Sequence, residues 1–126
     1  MSGLMLPDSI PGKIVSAWRK RNFSLVLSEP MLIEIARVLA YPKIKKRINW
    51  DDETIANFIV LLRFEAELVN TLGVEAHVPA DPNDNHLLAA LIASKADWLI
   101  TGDSDFDELT GQYSIIAPGE FVRRYL

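Results

Sequence analysis

The chain has 126 residues, 49% of them hydrophobic, which suits a single domain over residues 1–126 with a core of its own. It has no cysteine and two histidines, His77 and His86, which excludes disulfides, thiolate metal sites and cysteine nucleophiles and argues against a His-rich zinc centre. The net charge of −4 is uneven: residues 1–50 carry nine Lys/Arg against three Asp/Glu (+6), and residues 51–126 carry four against fourteen (−10).

In chain order, residues 1–12 are turn-rich, with breakers at Pro7 and at Pro11-Gly12. Lys13–Arg21 reads as a short helix with Ile14, Val15 and Trp18 on one stripe, and Phe23–Leu27 as a buried strand. Ser28 is suited to cap the next helix, whose first turn tolerates Pro30. That helix puts Met31, Leu32, Ile35, Val38 and Leu39 inward, leaves Glu34 flanking the buried face, and ends near Tyr41-Pro42. Lys43–Arg47 is a basic connector or short helix. The spacing predicts the longest helix from Asp51 to about Thr71, with Ile55, Phe58, Ile59, Leu62 and Val69 inward. Val74–Val78 reads as a weaker strand, Leu87–Ala93 as a helix after an acidic loop, and Trp98–Thr101 as a strand. Tyr113–Ile116 is expected to be a last strand before a terminal helical turn, Glu120–Tyr125.

Helices alternating with short apolar strands predict an α/β fold with a parallel sheet covered on both faces and a working site at the carboxyl ends of its strands. A helix leading directly into a strand packs antiparallel to it. About 11 helical residues at 1.5 Å, roughly 16 Å, match about five strand residues at 3.3 Å. Asp84, before the helix, and Asp103, after the strand, are therefore expected side by side. Glu34 and Asp105 fall at the same edge.

Each acid alone has a structural role open to it. Asn83 or Asp84 can cap the helix, Ser104 with Asp107 resembles a capping box, and Glu34 can pair with Arg37. Together, carboxylates a few ångströms apart repel one another unless a cation neutralises them. An all-oxygen cluster selects a hard cation, Mg²⁺ or Mn²⁺, whose natural chemistry is phosphodiester hydrolysis. An EF-hand loop fits poorly, because position six is Glu108 and position twelve Ser114. A phosphoaspartyl Asp-x-Asp site fits poorly too, since its strand usually comes first in the chain.

Leu27-Ser-Glu-Pro30 with Glu34 and Ala36–Leu39, then Asp81–Asn85, then Asp97–Phe106, resemble the PIN-domain proteins. More narrowly they resemble the toxin branch of toxin–antitoxin systems related to VapC-type toxins, from about residue 2 to Val122. The resemblance implies a three-layer α/β/α fold with a short parallel sheet, and acids that bind Mg²⁺ or Mn²⁺ and cut single-stranded RNA. It assigns catalytic roles to Glu34, Asp84 and Asp103, metal binding to these with Asp105, and a supporting hydroxyl to Thr101. It also implies a cognate antitoxin over the site and a homo-oligomer, commonly a dimer.

The family opens with a central strand ending in Asp-Thr-Asn. Met1–Leu6 resembles the segment that normally follows that strand, and Asp8 is no ligand. The expectation is therefore a truncated chain lacking the first strand, compensated by an intimate or swapped dimer or by Met1–Leu6 drawn into the gap. Two functions follow. One is a metal-dependent ribonuclease toxin, inactive in this form if the missing acid is essential. The other is a non-catalytic PIN-like module binding RNA or protein. Arg19, Lys20, Arg21, Lys45 and Lys46 are candidates to line an RNA path, against the alternative of solvated helix ends. With no apolar run of membrane length and no leader, a cytoplasmic location is expected.

Overall fold

A computed structural model of the chain describes residues Ile10–Leu126, which fall into two compact units, one ending at Leu68 and the other beginning at Val69. The expectations placed on Met1–Leu6 and Asp8 lie outside the described residues.

The first unit contains α1 (Ile10–Arg19), β1 (Val26–Leu27), α2 (Glu29–Ala40), α3 (Pro42–Ile48), α4 (Asp52–Glu65) and β2 (Glu67–Leu68). Helix α2 starts where it does because Ser28 is extended and buried and its hydroxyl accepts the Met31 N–H at 3.4 Å. Pro30 occupies the first turn, where no N–H is needed. Asp51 caps α4 by accepting the Thr54 N–H at 2.8 Å. Trp18, Leu27, Leu32 and Leu62 form one buried cluster, and Leu39, Ile48 and Ile55 another. Glu29 of α2 and Arg63 of α4 are joined by two 2.8 Å hydrogen bonds. Replacing Ser28 by Ala is expected to cost about 1 kcal/mol in urea unfolding, through the lost cap; an unchanged midpoint would show that the cap does not matter.

The second unit begins with an irregular segment and a 3-10 turn, Pro82–Asp84, followed by α5 (Asn85–Ser94), β3 (Leu99–Ile100), a 3-10 segment (Ser104–Leu109), β4 (Ile115–Ile116) and α6 (Pro118–Tyr125). Helix α5 buries Leu88, Ala89, Ala90 and Leu91, so its apolar surface extends around much of the helix. Its core partners are Val78, Phe106 and Leu109. Lys95, in the left-handed region at φ 55°, ends the helix and turns the chain towards β3. At the far end, the Trp98 indole N–H donates to the Tyr125 hydroxyl at 3.0 Å, with the Arg124 guanidinium 5.3 Å from the Trp98 ring centre.

The architecture is α/β and helix-rich. Among the described residues the expected parallel sheet takes the form of two two-stranded parallel ladders, β1 with β2 and β3 with β4. Several expectations need correction, among them the strand Phe23–Leu27, of which only Val26–Leu27 is paired as β1. Helix α1 begins at Ile10 rather than Lys13. The long helix stops at Glu65, because the Glu67 N–H donates to the Leu25 carbonyl at 2.8 Å and the chain enters β2 instead of another helical turn. Val74–Val78 is not a strand, because the Val78 N–H is taken by the Asn85 side chain at 2.8 Å.

Candidate metal centre

The acidic stretch is shaped by short side-chain to backbone bonds. Asp81 accepts the Asn83 N–H at 3.0 Å and so begins the 3-10 turn. The Asn85 bond to Val78 ties that turn to the core segment before it. After β3, the Thr101 hydroxyl accepts the Asp103 N–H at 3.2 Å, and the Asp103 carboxylate accepts the Asp105 N–H at 2.9 Å. The cap of the Ser104–Leu109 segment is thus Asp103, in place of the Ser104/Asp107 box that the spacing suggests. Phe106 is driven into the core, which fixes the adjacent Asp105 at the rim.

Asp84 stands at the cap position of α5, yet its side chain makes no capping bond. Its Oδ2 atom is buried and has no hydrogen-bond donor. One oxygen each from Asp81, Asp84 and Asp105 lie within 4.8 Å of one another, and among the described residues no other group of three acidic or histidine side chains gathers so closely. Burial, and then the charge of Asp103, the carboxyl of Asp105 and the charge of Asp81, push the Asp84 carboxyl up from 3.8 to about 6. Two carboxyls can share a hydrogen bond only when one is protonated, so the ionised pair Asp84/Asp105 needs a proton or a cation between them.

The structure therefore brings Asp84, Asp103 and Asp105 together in the second unit, with Thr101 holding the backbone of Asp103. Glu34 lies in the first unit, half-buried on α2. Arg19, Lys20, Arg21 and Lys46 are exposed, and Lys45 is ion-paired with Asp52. The sequence reading missed the place of Asp81 in the cluster. Its signal was the spacing to Asp84, since positions i and i+3 eclipse in a 3-10 turn.

A family model described as a PIN domain matches residues 1–105, a span that includes all four clustered aspartates. The chain belongs to the PIN-domain family. No curated protein and no solved structure matches it. PIN domains are generally nuclease-type and typically depend on a divalent metal. The residues of this PIN domain fit such an ion: the donors are all carboxylate oxygens, and the buried Asp84 oxygen has no other partner. A groove in the same unit, lined by Glu75, His77, Pro79, Glu108, Leu109 and Tyr113, contains none of these acids. They lie instead at the surface, where Asp103 is exposed and Asp81, Asp84 and Asp105 are half-buried. No described helix is long and apolar enough to cross a membrane.

Proposed function

We propose that this PIN domain is an endoribonuclease that cleaves single-stranded RNA with Mg²⁺ or Mn²⁺, and that it acts as the toxin of a cytoplasmic toxin–antitoxin pair. The observation that carries the reading is the buried, donorless Asp84 oxygen among neighbouring carboxylates. A cap or a surface charge does not need that arrangement, whereas a hard cation does.

Asp84, Asp103 and Asp105 would hold the ion in this reading. Once bound, it would supply charge neutralisation at the scissile phosphate and a lowered pKa for the attacking water. Burial and the neighbouring acids raise the Asp84 carboxyl to about 6, so near neutral pH it would be free of its proton and available to a cation. Asp103 fixes the Asp105 backbone, and Thr101 fixes that of Asp103. Glu34 enters as a further acid through its motif rather than through geometry. The proposed partners are single-stranded RNA, a cognate antitoxin that covers the acids, and a second copy in a homodimer. Arg19, Lys20, Arg21 and Lys46 are the proposed phosphate contacts, with Lys45 joining them if it leaves Asp52.

Incubating the chain with single-stranded RNA and Mn²⁺ tests the reading. Cleavage is expected, abolished by EDTA and strongly reduced in Asp103→Asn and Glu34→Gln. Equal cleavage by wild type and Asp103→Asn would mean a contaminating nuclease. Binding of RNA with no cleavage would favour a non-catalytic module.

A further inference from the structure

We propose that a groove in the first unit binds a guanine nucleotide, with the base stacked on Phe64 and read by Glu65 and Glu67, and the phosphate held by Arg21. The site contains none of the clustered aspartates and needs no metal. It gives Arg21, one of the proposed phosphate contacts, a defined place.

The groove has a volume of about 510 Å³, within the range of small-molecule sites, and Trp18, Arg21, Phe23, Phe64, Glu65 and Glu67 line it. It lies at the amino ends of β1 and β2, where α1 runs out at Arg21 and α4 at Phe64 and Glu65. That is the end opposite to the carboxyl edge, the usual place of a working site in an α/β sheet. The Glu67 N–H donates to the carbonyl of Leu25, another lining residue, at 2.8 Å, which fixes one wall.

Two of the side chains are not explained by folding. Phe64 is 81% exposed, an aromatic ring left in water at the end of a helix. Arg21, at φ 63°, closes α1 in a Schellman turn: the Asn22 N–H reaches the Ala17 carbonyl at 3.0 Å and the Arg21 N–H the Trp18 carbonyl at 2.8 Å. Glycine suits this position best, because any side chain strains the left-handed backbone. The turn gains nothing from arginine, whereas the groove gains a guanidinium. Among the described residues the side chains of Arg21, Glu65 and Glu67 form no ion pair, so a cation and two acids share one groove uncommitted.

A nucleotide matches each of these groups. An exposed aromatic ring stacks on a base face, and a guanidinium pairs with phosphate. Ionised carboxylates only accept hydrogen bonds. Guanine is the RNA base with two adjacent donors on one edge, N1–H and the N2 amino group, where uracil has a single N–H. The glutamates therefore favour guanine. A purely apolar partner would strip Arg21 and both glutamates of water and return nothing.

Binding is measured by calorimetry on the full chain in EDTA, where metal-dependent cleavage is blocked, with GMP, UMP, a uridine nonamer and the same nonamer carrying one central G. GMP is expected to bind at least ~10-fold more tightly than UMP, as one well-placed pair of hydrogen bonds allows. Binding of the G-containing nonamer over the uridine nonamer would assign the site to RNA; binding of GMP alone would assign it to a free nucleotide. Phe64→Ala, checked for folding by circular dichroism, is expected to lose ~10-fold in GMP affinity, within the range of one base–aromatic stack. Arg21→Gly is expected to lose affinity while its urea midpoint stays level or rises, since glycine relieves the turn. Combining Glu65→Ala with Glu67→Ala should erase the preference for GMP over UMP. Equal binding of GMP and UMP, or wild-type GMP affinity in folded Phe64→Ala and Arg21→Gly, would overturn the proposal. So would binding of neither nucleotide, and loss of dimers in Phe64→Ala would then give this face to a second copy. The metal-dependent nuclease reading survives each of these failures, because no metal takes part.

Discussion

Asp84→Asn is expected to lower Mn²⁺-dependent RNA cleavage by at least ~100-fold, the upper end of what even a ligand's outer partners cost when removed. The same change should make the metal-free protein more stable near pH 7. Asp84 is the acid with the buried, donorless oxygen, and its carboxyl is raised to about 6 in the folded chain from an ordinary 3.8. Between those values the folded chain binds more protons than the unfolded one, so stability falls as pH rises. The contribution is fully present below 3.8 and lost above about 6. A rise of this size corresponds to about 3 kcal/mol, discounted to roughly 1–2 kcal/mol for solvent screening of a half-buried group. Asparagine has no proton to lose there and offers N–H donors to its carboxylate neighbours. In EDTA, urea unfolding at pH 4.5 and pH 7.5 should therefore show the gap between Asp84→Asn and wild type widening at the higher pH. A gap independent of pH would mean that the Asp84 carboxyl is not held in a repulsive cluster.

Phe106→Ala should cost about 3–5 kcal/mol, a large part of the stability of an ordinary domain. Phe106 is 1% exposed and packs in the core with Val78, Leu88, Leu91 and Leu109. Truncating it opens a cavity directly beneath the loop that carries Asp103 and Asp105. Phe106→Leu keeps most of the apolar volume and should cost well under half as much. Urea melts of both variants check this, and equal losses would mean that the cavity is not the cause. Because Asp105 is the neighbouring residue, Phe106→Ala should also weaken Mn²⁺ binding even where enough folded protein remains to measure.

Legibility in the sequence tracked how local the deciding interaction was. The start of α2 could be read because Ser28 and Pro30 are adjacent signals acting within one turn. The caps of α4 and the turn before α5 are similarly local. Strand β2 could not be read, because Glu67-Leu68 continues a helical pattern and is diverted by pairing with Leu25 and Val26, some forty positions earlier. The Val74–Val78 expectation failed for a similar reason: Val78 is buried as a strand residue would be, but its N–H goes to a side chain. At the acidic edge, motif spacing singles out Asp84, Asp103 and Asp105, and the structure places them near one another. Asp81 stands in the sequence only as part of an acidic loop, because its distance to Asp105 depends on the fold.

The two parallel ladders differ in how much chain they close. Leu99 meets Ile115 sixteen positions later, whereas Val26 meets Glu67 forty-one positions later. Loop-closure entropy grows as the logarithm of that length, so the shorter closure costs about 0.8 kcal/mol less. All four aspartates come from the 25 residues between Asp81 and Asp105. The charge cluster is therefore built from one local stretch of the second unit, and its mutual repulsion opposes the folding of that stretch. A divalent ion that relieved it would stabilise that unit in particular.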